Sequence, residues 1–192
     1  FDILLFGNRN IKEISIPSNI KIISSYAFEN CENLSKVEIP TNSKLQTIGK
    51  SAFYSSKIKH IFIPPTVSKI CQFAFYYCEN LTKVEIPTNS KLQTIEESAF
   101  SSTNIKEIFI PPTVSKICQS AFSYCGNLLK VEIPTNSKLQ IIEEDAFSST
   151  KIEQIYFPES LKELKEGWCY GTNKLTKIII SPSNNQFIFK DN

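Results

Sequence analysis

The sequence holds one histidine, five glycines and a formal net charge of only +2 over 192 residues. Each shortage excludes something. A nearly neutral chain lacks the basic excess that binding to phosphate backbones requires, so no nucleic-acid partner is expected. No apolar run approaches the roughly 18–20 residues that cross a bilayer, so no membrane insertion is expected of this stretch. The opening FDILLFG has neither a basic flank nor a small-residue cleavage site and does not read as a signal peptide. Too few glycines are present for a phosphate-cradling loop.

The histidine shortage bears on catalysis. A Ser/His/Asp or Cys/His site would have to use His60. The matching positions of the other units hold Glu13, Lys36, Lys83, Glu107, Lys130, Gln154 and Lys177, so His60 occupies an ordinary solvated strand position. Cys71 and Cys78 have no histidine at ligand spacing, and a metal site needs such clusters. No enzyme activity, cofactor or metal is expected.

What is abundant is repetition. KVEIPTNSKLQTIEESAF at 83–100 returns as KVEIPTNSKLQTIGKSAF at 36–53 and KVEIPTNSKLQIIEEDAF at 130–147. IFIPPTVSKICQFAF at 61–75 and IFIPPTVSKICQSAF at 108–122 lie between the copies. The prolines at 17, 40, 64, 87, 111, 134 and 158 are spaced alternately by 23 and 24, and Ser181 takes the next place. Two alternating units therefore build a 47-residue super-repeat. The whole of 1–192 is expected to be one domain, a solenoid of about eight coils.

Each unit opens with a period of two. In NLTKVEIP, Leu81, Val84 and Ile86 fall on one side and Lys83 and Glu85 on the other, as in a strand with one buried face. Proline then removes a ladder donor and ends the strand. The return segments have no clean helical period and predict short strands, 3₁₀ turns or single helical turns rather than long helices. Phe28, Phe53, Phe75, Phe100, Phe122 and Phe147 fall in register as a stacked aromatic column, with Phe6 expected to begin it and Trp168 to continue it. An alanine precedes each of the six, from Ala27 to Ala146, where the backbone must tuck in.

Six cysteines invite a disulfide reading that the period contradicts. Cys31, Cys78 and Cys125 recur at 47 residues, and the coils between them hold Ser56 and Thr103. Coils rise by about 4.8 Å, so two coils put these positions roughly 10 Å apart, whereas a bridge needs Cα atoms at about 4.4–6.8 Å. No disulfide is expected.

The units match the leucine-rich pattern L-x-x-L-x-L, as in Leu34, Val37 and Ile39. More narrowly, EIFIPPTVSKICQSAFSYCGNL at 107–128 resembles the BspA-like subfamily of leucine-rich repeats, and the likeness runs from Asn10 to Ser181. Where most leucine-rich repeats keep asparagine, this chain has Cys31, Ser56, Cys78, Thr103, Cys125, Thr150 and Thr172. BspA-like units commonly carry cysteine there. The resemblance implies a right-handed leucine-rich repeat solenoid with parallel strands on its concave face. It also implies an extracellular surface antigen or adhesin of a bacterium or protist, binding protein or glycan on a host or neighbouring cell.

Two outward columns climb the expected concave face. The first runs through Lys36, His60, Lys83, Glu107 and Lys130; in the second, exposed Phe62, Phe109 and Tyr156 alternate with Glu38, Glu85 and Glu132. Aromatics flanked by charges are typical binding anchors, and these residues are the candidate ligand site. A structural reading of the same alternation is that it keeps like charges about 10 Å apart, near one Debye length, and keeps the aromatics from merging into one patch. Asn33 in Asn33-Leu-Ser and Asn80 in Asn80-Leu-Thr are candidate N-glycosylation sites. The alternatives are a structural spacer or antigen stalk without a ligand, and a sugar-processing β-solenoid enzyme. The even spread of Glu and Lys disfavours the enzyme. The apolar end at Phe187, Ile188 and Phe189, and the lack of a starting Met, lead us to expect a longer natural chain that continues past Asn192.

Overall fold

The computed structural model describes residues 2–4 and 9–187, and among these the chain winds as a solenoid of strands and turns with no helix. On the return side lie two-residue strands: β1 (Ile3–Leu4), β3 (Ile22–Ile23), β5 (Thr47–Ile48), β7 (Lys69–Ile70), β9 (Thr94–Ile95), β11 (Lys116–Ile117), β13 (Ile141–Ile142) and β15 (Glu163–Leu164). They join in that order into one parallel eight-stranded sheet. On the front lie β2 (Glu13–Ser15), β4 (Lys36–Glu38), β6 (His60–Phe62), β8 (Lys83–Glu85), β10 (Glu107–Phe109), β12 (Lys130–Glu132), β14 (Gln154–Phe157) and β16 (Lys177–Ile180).

The front strands do not form one continuous ladder. They pair as β2–β4, β6–β8, β10–β12 and β14–β16, each pair separated in sequence by 23 residues. The 24-residue steps are not paired. Before such a step the chain has one residue fewer between core phenylalanine and strand: eight positions from Phe53 to Ile61, against nine from Phe75 to Val84. The shorter approach offsets the next strand, and the step is crossed by isolated backbone bonds such as Lys59 N–H to Ser35 O at 3.3 Å. The alternation of 23 and 24 is thus written into the front face as three interruptions.

Inside, the phenylalanines stack in register. Centroids from Phe28 to Phe147 step by 5.1 to 5.5 Å with ring planes within 7° of parallel, and all six side chains are fully buried. Phe6, expected to begin the column, lies outside the described residues. Trp168 continues it differently from expectation. Phe147 N–H donates to Trp168 O, as Phe53 N–H does to Ala74 O, so Trp168 stands in the alanine position and Cys169 in the phenylalanine position. The small Cys169 leaves room at the column's end, and the indole covers Phe147 edge-on at 6.3 Å and 88°.

The turns around the column carry a pattern that the sequence hides. Two residues before and two after each core position, φ is positive: Tyr26 and Asn30, Phe73 and Tyr77, Ser98 and Ser102, and so on to Gly167 and Gly171. The cause is hydrogen bonding between coils. Tyr26, Phe28 and Asn30 donate their N–H groups to the carbonyls of Lys50, Ala52 and Tyr54 at 2.7–2.8 Å, while Ala27 and Glu29 close local turns on Ser24 and Tyr26. The left-handed residues are what turn alternate N–H groups toward the next coil. For residues other than glycine this conformation costs about 1–2 kcal/mol each, offset because the alternate N–H groups gain carbonyl partners in the next coil.

All six cysteines are free. The Cys78 thiol donates to Phe53 O at 3.0 Å and the Cys125 thiol to Phe100 O at 3.1 Å. Thr172 makes the same bond to Phe147 O at 2.8 Å. The hydroxyl of the preceding coil shares the acceptor, as Thr103 does on Phe100 O at 2.9 Å. Thiols and hydroxyls thereby cap every second carbonyl of the column, those of Phe53, Phe100 and Phe147, while the carbonyls of Phe28, Phe75 and Phe122 accept the backbone N–H groups of Cys31, Cys78 and Cys125.

Candidate functional site

The strand pattern aims every second side chain outward, and the ladder register decides which of them meet. Phe62 lies beside Glu85 and Phe109 beside Glu132, while His60 lies beside Lys83 and Glu107 beside Lys130. Within each KVE strand the lysine reaches along its own strand. Lys36 Nζ lies 2.6 Å from Glu38, Lys130 Nζ 3.0 Å from Glu132, and Lys83 is paired with Glu85. His60 Nε2 lies 3.4 Å from the same Glu85 carboxylate.

These pairs set the local protonation. The Glu38 hydrogen bond holds Lys36 above the usual ammonium range, and Glu132 does the same to Lys130. The Lys83 hydrogen bond holds Glu85 below the usual carboxylate range, against the opposing push of burial. The glutamates are therefore not bare acids, and the front face is a mosaic of neutralised pairs and aromatic rings. Exposed pairs of this kind add little to stability.

A hollow of about 510 Å³ opens where β8 and β10 are not hydrogen-bonded. It brings together Phe62, Lys83, Glu85, Glu107, Phe109, Lys130 and Glu132, over a floor of Val84, Ile86 and Ile108. Lys36, Glu38, His60 and Tyr156 do not line it; Lys36 and Glu38 stand on β4, His60 at the start of β6 and Tyr156 on β14. One expectation is corrected. Phe62, Phe109 and Tyr156 are half-buried rather than exposed.

Burial pushes the Cys78 thiol up to about 12 and the Cys125 and Cys118 thiols to about 11, so they are neutral at physiological pH and poor nucleophiles. Among the described residues no three His, Cys, Asp or Glu side chains are grouped to hold a metal ion. No helix among them is long and apolar enough to cross a membrane. Asn33 and Asn80 are exposed, while the leucine at the centre of each sequon is fully buried.

Sequence reasoning missed a second aromatic cluster, on the flank where turns lead into the front strands. Tyr76 packs against Tyr54 at 5.5 Å, Phe73 at 5.7 Å and Tyr77 at 4.9 Å. The sequence does hold a trace of it: Tyr77 and Tyr124 stand where other coils have Asn30, Ser55, Ser102 and Ser149.

The BspA type leucine-rich repeat region matches this chain in six copies, over residues 4–129 and 89–191. A leucine-rich repeat protein from Bacteroides ovatus has a similar crystal structure, with TM-score 0.70, 31% identity, and coverage of 88% of this chain and 49% of that one. The pneumococcal vaccine antigen PcpA matches with TM-score 0.69 at 22% identity, over 95% of this chain and 44% of its own. A leucine-rich cell surface protein from Faecalibacterium prausnitzii matches with TM-score 0.52 at 23% identity, over 89% of this chain and 61% of its own. At 22% and 23% identity the last two likenesses concern the fold alone. The chain spans about half the length of the first two. No curated protein matches it.

Proposed function

Because this chain belongs to the BspA-type leucine-rich repeat family, we propose that it is a non-enzymatic recognition module displayed at a cell surface, which binds an extended protein segment of a host or neighbouring cell through its front strand face. The cell-surface setting rests on the family, and two proteins that share the fold are by name a vaccine antigen and a cell surface protein. The observation that carries the binding role is the hollow between β8 and β10, where Phe62 and Phe109 converge with three charged residues of β8 and β10 and two of β12. An unpaired strand step with aromatic walls and a charged rim has the make-up of a hot-spot pocket. Neutralised Lys–Glu pairs lower the cost of desolvating that rim when a partner covers it.

The test is the triple variant Phe62→Ser, Phe109→Ser, Tyr156→Ser, compared with the unaltered chain for capture on candidate target-cell surfaces. Capture is expected to weaken at least tenfold, about 1.4 kcal/mol, while the half-buried positions lower the melting temperature by only a few degrees. Unchanged capture would rule out this face.

A further inference from the structure

A hollow of about 570 Å³ on the flank is lined by Tyr76, Tyr77, Glu79, Asn80, Asn104 and Tyr124, with Ser102 and Thr103 between. None of these residues lines the front hollow. Tyr77 and Tyr124 hold φ of 59° and 57° and are 45% and 68% exposed. A bulky residue in the left-handed region is an outlier, whereas short polar residues such as Asn and Asp are commoner there. Packing does not explain Tyr124, whose ring stays largely in solvent, and gives Tyr77 only an edge-on contact with Tyr76 at 4.9 Å. The same backbone place is filled by Ser55, Ser102 and Ser149 in other coils, so the fold does not ask for a ring there.

The geometry gives the two rings a use. They stand two coils apart, about 10 Å, and the small Ser102 of the coil between them leaves the space open. Tyr76 is held as a fixed wall by its three aromatic neighbours. Asn104 is fixed too, donating to Glu79 O at 2.6 Å and accepting from the Asn127 amide at 3.0 Å. The side chains of Asn80 and Ser102 have no hydrogen-bond partner among the described residues, so they are free to bind. Glu79 is counterbalanced by Lys57 at 3.8 Å, which leaves the hollow without strong net charge.

We propose that this flank hollow binds a short neutral oligosaccharide, with Tyr77 and Tyr124 stacking on sugar faces and Asn80, Ser102 and Glu79 taking the hydroxyls. Pyranose rings present apolar C–H faces and polar edges, which match flat tyrosine rings interspersed with amide, hydroxyl and carboxylate groups. A protein partner is less suited, because the hollow offers no buried apolar pocket for an anchor side chain.

The probe is a panel of neutral trisaccharides of glucose, mannose, galactose and N-acetylglucosamine, titrated by NMR or calorimetry into chain produced without N-glycosylation. At least one is expected to bind saturably. Tyr77→Ser with Tyr124→Ser is expected to weaken that binding at least tenfold while lowering the melting temperature by at most a few degrees, since serine is what neighbouring coils carry there and only the edge contact of Tyr77 with Tyr76 is lost. Phe62→Ser with Phe109→Ser is expected to leave it unchanged. Failure of every trisaccharide to bind, or binding that survives in the double tyrosine variant, overturns the assignment. Loss of binding in the front-face variant instead would move the sugar to the front face and also overturn it. The front-face reading is tested separately by cell capture, so either can fail alone.

Discussion

Replacing Phe100 by alanine tests whether the stacked column holds the coils together. Phe100 is fully buried and lies 5.1 Å from Phe75 and 5.5 Å from Phe122, with ring planes within 4° of parallel. Burial of the ring alone accounts for about 1.5–3 kcal/mol. Truncation also leaves a cavity, which brings the cost of such changes to about 3–5 kcal/mol. Two stacking partners are lost at once, each adding about 0.5–1.5 kcal/mol beyond area, so the upper part of that range, about 4–5 kcal/mol, is expected. For a chain of this length that lowers the melting temperature by roughly 10–20 °C. Urea unfolding followed by circular dichroism gives the free energy. In a solenoid each coil contacts only its neighbours, so the variant is also expected to broaden the transition as the two halves begin to unfold separately. A loss below about 2 kcal/mol with an unchanged slope would show that the column is collapsible filler and refute the reasoning.

Two further outcomes follow from the turns and the thiols. Ser55 has φ of 55° and donates its N–H to Tyr76 O at 2.8 Å; Ser55→Val is expected to cost about 1–2 kcal/mol or more, because a β-branched side chain resists that conformation, whereas Ser55→Gly stays near neutral. Thermal melts of the two variants decide it, and equal destabilisation would sink the account of the left-handed ladder. In the native protein at pH 8, Cys31, Cys78 and Cys125 are expected to resist a thiol reagent because all three are fully buried, while the unfolded, unreduced chain titrates six. Fewer than six thiols would reveal a disulfide.

How much of this was legible depends on where the information sits. The solenoid was readable because one strand and one phenylalanine recur so often that chance alignment is excluded. The candidate residues of the front face were readable for the same reason: period two assigns Phe62 and Glu85 to the outside whatever the ligand. Which of them meet was not readable, since that rests on the one-residue difference between Phe53–Ile61 and Phe75–Val84, visible only as an alternation of 23 and 24. The left-handed turns were hidden because glycine marks them only at Gly167 and Gly171, while Ser, Asn, Asp, Phe and Tyr occupy the others. The displacement of Trp168 was hidden because a large aromatic near the expected place is indistinguishable, by letters alone, from the column's next member. The tyrosine flank escaped notice because its residues come from three coils and none belongs to the strand pattern.

The 47-residue period also separates the front face, the flank and a spacer role from one another. Deleting residues 61–107 joins His60 to Ile108 and keeps the alternation of units, so the fold is expected to survive with one super-repeat fewer. The front hollow re-forms in this variant: Phe109 takes the place of Phe62, Lys130 and Glu132 that of Lys83 and Glu85, and Tyr156 that of Phe109. Gln154 replaces Glu107, and Lys177 and Ile179 replace Lys130 and Glu132, so a charged rim is only partly restored. The flank fares worse, because Tyr124 moves into the place of Tyr77 and Gly171 into that of Tyr124. Capture on cells is therefore expected to be weakened but present, and trisaccharide binding to be lost. A spacer without a ligand would show no change in capture at all, and trisaccharide binding that outlives the deletion would mean that a single tyrosine suffices and that the two-coil spacing of the rings is incidental.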